Sequence, residues 1–138
     1  MMAFESAAAA GRLQPWRPGV WRLPWASPSE GPPALAGVTD RDAELSALRR
    51  ALPGAALVQA QQVHGVSIAA LWTAPPEERP VPGCDALMTD LPRVALVIRS
   101  ADCVPITVWD PVRRVSAMMH ACWRGLLRHL RPSAGSSW

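Results

Sequence analysis

The order of apolar and polar positions divides the chain into an aperiodic stretch, a helix, a series of strands and a closing helix. From Asp40 to Leu52 the apolar Leu45, Leu48 and Leu52 recur at helical spacing, Thr39 or Asp40 can cap the start, and Pro53-Gly54 ends the run. Ala56 to Val63 and Val66 to Trp72 read as two extended segments broken at His64-Gly65, where the glycine permits a bulge or turn. Three further runs rich in Val and Ile, namely Arg93 to Arg99, Val104 to Trp109 and Val115 to Met119, are predicted strands separated by short polar breaks. Trp123 to Leu130 starts a second helix.

Proline punctuates the rest. Residues 11–37 mix Trp16, Trp21 and Trp25 with Pro15, Pro18, Pro24, Pro28, Pro32 and Pro33. A ring-locked φ and a missing N–H block helix there and interrupt any central strand, so extended chain and loop are expected, with the tryptophans packed onto their own domain. Residues 73–82, with Pro75, Pro76, Pro80 and Pro82 around Glu77, Glu78 and Arg79, form an exposed loop, and the Ser/Gly-rich 132–138 reads as a disordered tail. The organisation expected is a Pro/Trp-rich segment at 1–37, a domain at 38–131 and that tail.

Composition narrows the function classes. At 138 residues, 49% apolar and a mean hydropathy of +0.06, the chain suits one compact globular domain. All 14 basic residues are arginine, and the net charge of +3 favours small anions such as phosphate. It is far below the basic footprint of a dedicated nucleic-acid binder, and the arginines Arg124, Arg128 and Arg131 read equally well as a solvated helix face. No nucleic-acid partner is expected. An odd number of cysteines, Cys84, Cys103 and Cys122, does not read as a disulfide framework and fits a reducing compartment. Glu5 and the short run Ala7 to Ala10 do not make a secretory signal, and no apolar stretch approaches the roughly 18 residues a membrane span needs, so a cytoplasmic protein without a membrane partner is expected.

The chemistry-bearing residues are few. His64 stands at a glycine bend, Cys103 follows a strand and His120 ends one; strand ends are where open α/β sheets place their sites. One thiolate and two imidazoles are good zinc ligands, and three protein ligands leave a fourth tetrahedral position for water or substrate. Spacing alone does not identify such a site, because these separations match no compact zinc motif. A nucleophilic Cys103 activated by His120 uses much the same atoms, and buried cysteine and hydrogen-bonded histidine also occur with no chemistry at all.

The flanking words decide between these readings. Gln62-Val63-His64-Gly65, Cys84-Asp85-Ala86-Leu87-Met88-Thr89, Ala101-Asp102-Cys103-Val104-Pro105 and His120-Ala121-Cys122-Trp123-Arg124-Gly125 occur in that order. Together they resemble the YfiH/laccase-domain family, whose pattern is QVHG, a DAL-x-T strand, ADC-x-P and HAGWRG; four ordered words are far more specific than one. The resemblance implies an α/β fold of mixed β-sheets covered by helices. It implies a zinc-dependent purine nucleoside phosphorylase that also deaminates adenosine, acting on adenosine, inosine, guanosine and methylthioadenosine with phosphate. His64, Cys103 and His120 then correspond to the metal ligands and catalytic set. Arg124, with its planar fork of donors, is a candidate phosphate contact, equally readable as a structural residue of the last helix. Asp102 is a candidate orienting group or a turn-capping one. Polyphenol oxidase chemistry with copper ranks below zinc, because one His/Cys/His set offers too few ligands for multicopper oxidation.

Departures from the family pattern bear on activity. Cys122 stands where the family word has glycine, which strains the turn if that position has a positive φ and makes Cys122 a competing ligand if it points inward. Cys84 replaces a small residue and is expected to be buried. The TTR-x-GG-x-S word is absent, and the family domain continues beyond the WRG word. The chain therefore reads as a shortened member with exposed strand edges, through which it could self-associate. A catalytically inactive fragment that still binds zinc is the competing reading.

Overall fold

A computed structural model describes residues 13–23, 35–40, 45–73 and 79–129. Trp25 with the later prolines of the first segment, the start of the first helix at 41–44, the loop residues 74–78 and the tail lie outside the described residues. The chain divides between Gly54 and Ala55 into two compact units.

The first unit holds strands β1 (Gln14–Arg17), β2 (Val20–Arg22) and β3 (Gly37–Thr39) and helix α1 (Leu45–Ala51). The strands form an antiparallel sheet in the order β1-β2-β3. Proline does not prevent it, because Pro15 lies on the edge strand opposite Trp21 and Pro18 falls in the β1–β2 turn beside Gly19, whose φ is 70°. The stretch expected as extended chain and loop thus pairs into short strands. Gly37 is required there: a Cβ would lie 2.6 Å from the Trp21 carbonyl oxygen. Helix α1 follows the leucine periodicity and buries Ala47 and Ala51; Leu52 N–H donates to Leu48 C=O before Gly54, at φ 77°, turns the chain out.

The second unit carries the strands β4 (Ala56–Gln59), β5 (Ile68–Leu71), β6 (Ala86–Thr89), β7 (Val94–Val97), β8 (Val104–Asp110) and β9 (Val115–Ala121), then α2 (Trp123–His129). β4 and β7 form a parallel pair. The other four make a mixed sheet in the order β5-β6-β9-β8, parallel between β5 and β6 and antiparallel elsewhere. The α/β class therefore holds, with β6 at the centre and buried on both faces. Val58 of β4, Ala60, Cys84 and Leu87 of β6 make the buried cluster, and Leu71, Val94, Leu96 and Ile98 pack against it. The two sheets meet across this cluster, and Cys84 serves in it as the small buried residue expected.

Local chemistry sets the ends of these strands. Thr89, 1% exposed, donates its hydroxyl to Leu71 C=O and accepts the Leu91 N–H, so its buried oxygen is satisfied at the end of β6. β4 stops earlier than its apolar run because Gln62 and His64 turn into the left-handed region, at φ 60° and 58°. The β8–β9 hairpin closes on Asp110, whose carboxylate accepts the Val112 and Arg113 amides. β8 is a sheet edge, and along one face it leaves Val104, Ile106 and Val108 exposed. Among the described residues no helix is long and apolar enough to cross a membrane.

Leu87 is fully buried at the crossing of the two sheets. Leu87→Ala is expected to lower the unfolding free energy by about 2–5 kcal/mol in urea titration. Val112→Ala, at a side chain 88% exposed in the hairpin turn, should stay within about 0.5 kcal/mol of the parent. Equal losses would show that the core lies elsewhere.

Candidate metal centre

His64, Cys103 and His120 come together although they lie on three separate segments. One ligand atom from each falls within 4.8 Å of the others, with His64 exposed, Cys103 partly buried and His120 buried. The two imidazole rings meet edge to face, centroids 4.9 Å apart and planes at 65°. His64 sits in the loop between β4 and β5, Cys103 immediately precedes β8, and His120 is on β9. His64 thus lies at a bend, and Cys103 and His120 lie at or near strand ends, as expected from the chain pattern.

Asp85, just before β6, organises this arrangement. Its side chain is 4% exposed, and one carboxylate oxygen accepts the His64 backbone N–H at 2.8 Å while the other accepts that of Gly65 at 2.7 Å. The first oxygen also pairs with Nδ1 of His120 at 3.1 Å. Burial alone raises a carboxyl pKa, but the His120 ring and the Gly65 and His64 amides outweigh it and hold Asp85 below its ordinary value. A carboxylate only accepts, so it places the imidazole hydrogen on Nδ1 and leaves the Nε2 lone pair of His120 for a metal. Asp85 also uses its main chain: its N–H donates to Ser67 C=O and its C=O accepts the His120 N–H.

The bend at His64 works differently from a glycine turn. His64 itself is left-handed, while Gly65 has no positive φ. A non-glycine residue in that region costs on the order of 1 kcal/mol, and the two hydrogen bonds to Asp85 hold it there. A Cβ on Gly65 would sit 3.2 Å from the Asp85 oxygen, a tight contact that glycine avoids. Gly125 in α2 is needed for close approach: a Cβ there would lie 2.8 Å from the Gly65 carbonyl oxygen. The helix thus rests directly on the histidine loop. Gln62 ties that loop to the segment leading into Cys103, because its side-chain amide donates to Arg99 C=O and accepts the Arg99 N–H at 2.8 Å.

The sulfur atoms differ. Burial and the neighbouring Cys122 sulfur, with Asp102 and Asp85, push the Cys103 thiol above its ordinary value. For Cys122 burial also opposes ionisation, but the Arg124 amide, the His64 ring and the Gly125 amide outweigh it and bring the thiol below that value. Cys122 has no positive φ, so its Cβ brings no strain, and it is 3% exposed with its sulfur beside the site. Arg124 is exposed at the start of α2, with its guanidinium 5.3 Å over the Trp123 ring. Asp102 is exposed and contributes only its charge near Cys103. The orienting carboxylate is Asp85, which residue-type reasoning passed over; its signal was an acid at the head of a buried apolar strand.

A family profile described as multi-copper polyphenol oxidoreductase laccase matches residues 36–135. A purine nucleoside phosphorylase of Streptomyces coelicolor is 39% identical over 98 residues, covering 71% of this chain and 40% of that protein. An adenosine deaminase from an unknown prokaryotic organism is 33% identical over 75 residues, 50% of this chain and 29% of that protein. The crystal structure of YlmD from Geobacillus stearothermophilus superposes with a TM-score of 0.67 at 27% identity, covering 82% of this chain and 53% of that one. The chain thus spans about half, or less, of the length of these relatives.

Two variants test the geometry. Asp85→Asn should weaken metal binding about 10- to 100-fold in competition with a chelator, by freeing the His120 ring. Because the folded pKa of Asp85 is depressed, its contribution to stability is present above the ordinary value of 3.8 and is lost as pH falls through the lower folded value. The acid limb of a stability-against-pH curve should therefore be shallower in Asp85→Asn. Gly125→Ala should cost about 1–3 kcal/mol by pushing α2 off the Gly65 carbonyl; a variant as stable as the parent would mean that the contact is not tight.

Proposed function

The chain belongs to the laccase-like YfiH family, and from that premise we propose that it is a zinc protein of purine nucleoside phosphorolysis, with adenosine deamination as a second reaction. The observation that carries this reading is the convergence of His64, Cys103 and His120, with the second nitrogen of His120 held by Asp85. One thiolate and two imidazoles fit zinc at a site with a free fourth position better than they fit the several copper centres of multicopper oxidation. Residues 38–131 are proposed as a partial family domain, supported by the profile match over 36–135.

When bound, zinc supplies Lewis acidity toward an oxygen of water or phosphate. The protein's own part is to present the donors. Asp85 fixes the His120 tautomer and, through the His64 and Gly65 amides, the path of the loop carrying His64. Gln62 holds the approach to Cys103. Arg124 is proposed to bind phosphate, with its guanidinium at the exposed start of α2. The substrate class is purine nucleosides, namely adenosine, inosine, guanosine and methylthioadenosine. The exposed β8 edge supports pairing with a second copy as the protein partner.

The test is metal analysis of the purified chain with adenosine assays run with and without phosphate. Stoichiometric zinc together with adenine, inosine or hypoxanthine is the expected result. Zinc without any product would overturn turnover by this chain while leaving the metal site in place. Cys103→Ala should lose the metal and Cys84→Ala retain it; equal loss from both would remove Cys103 from the ligand set.

A further inference from the structure

Two adjacent glutamines stand where β4 gives up its partner, and their side chains reach two different segments of the centre. β4 pairs with β7 as far as Gln59 opposite Val97. The chain then turns to the segment before β6: Ala60 bridges Val81, Gln61 N–H donates to Val81 C=O at 3.0 Å, and Gln62 N–H donates to Cys84 C=O at 2.9 Å. The segment after β7, left by β4, is met at Arg99 by the half-buried Gln62 side chain, which accepts the Arg99 N–H at 2.8 Å and donates to Arg99 C=O. Gln61 Oε1 accepts the N–H of Gly83 at 2.7 Å, two positions before Asp85. Cys103 follows four positions after Arg99, and the Ser100 hydroxyl donates to Cys103 C=O across that turn.

Different anchors therefore hold the two kinds of donor. The Asp85 carboxylate bonds to the His64 loop and to the His120 ring, whereas the Cys103 segment is tied by Gln62 and Ser100. We propose that Gln62 is the positioning residue for the thiolate: its side-chain amide, acting through the Arg99 main chain and the Ser100 turn, sets Cys103 within reach of a metal held by the two histidines. The proposal rests on the reading that His64, Cys103 and His120 hold a metal. A carboxamide suits the task because it carries both donor and acceptor, so one side chain reproduces both bonds of a strand neighbour. An ionised glutamate only accepts, and methionine, of similar length, offers no N–H and only a weak acceptor. Gln62 is itself left-handed at φ 60°, two residues before the left-handed His64, so the thiolate and one imidazole are tied to a single short loop.

The experiment reads the thiolate directly, independent of activity. The reduced full chain is loaded with cobalt(II), its affinity is measured against a competing chelator, and the sulfur-to-cobalt charge-transfer band reports the thiolate, with Cys103→Ala setting the floor of the band. Gln62→Met should weaken cobalt binding about 10-fold and lower the band per bound cobalt toward that floor. Gln62→Glu, which keeps the acceptor for the Arg99 N–H, should fall between Gln62→Met and the parent. Asp85→Asn should weaken binding yet keep the band, because it frees an imidazole and not the thiolate. A band per bound cobalt unchanged in Gln62→Met, or lost as fully in Asp85→Asn, overturns the proposal while the three-residue site stands. Should Gln62→Met fail to fold, a parental band in Gln62→Glu overturns it instead. A parent chain that binds no cobalt, or binds it without the band, overturns the three-residue metal reading and the proposal together.

Discussion

The buried carboxylate of Asp85 is the constraint on which the rest of the centre depends. It accepts hydrogen bonds from two successive amides of the His64 loop and pairs with the ring of a histidine 35 residues further along the chain. An anion with so little solvent is tolerable only when nearly every lone pair is answered. That requirement runs in both directions. The carboxylate needs the amides and the ring, and the left-handed His64 and the Nδ1 hydrogen of His120 need the carboxylate. A single group therefore settles a loop conformation and a tautomer at once.

Close approach makes this arrangement possible, and it accounts for glycines that carry no unusual dihedral. Gly65 lets its N–H reach Asp85, and Gly125 lets α2 lie on the Gly65 carbonyl. Beneath them, the cluster of Val58, Ala60, Cys84 and Leu87 fixes where β6 emerges, and Asp85 is the residue just before that strand. The position of His64 and His120 is thus a consequence of core packing passed through one carboxylate. Gln62 extends the same logic to Cys103 by imitating a backbone pairing with Arg99.

Family membership and geometry bear on different questions. The matched profile and the nucleoside phosphorylase relatives speak for the family, while the donor set speaks for a metal. Cys122 lies where the two meet: the family word has glycine at that position, and here it is a cysteine 3% exposed just before α2.

Much of this was present in the residues themselves. The β-branched runs of β7, β8 and β9, the leucine spacing of α1 and the burial of Cys84 could be read locally, because each depends on side-chain type and short-range periodicity. Short strands among prolines were not legible, since a proline is harmless at a sheet edge and only pairing reveals which strand is the edge. Nor was the role of Asp85, whose partners lie 20, 21 and 35 residues away. The chain alone determined which donors exist and which segments extend or coil. Tertiary structure decided which of them meet, because strand order and register bring together groups that no local pattern relates.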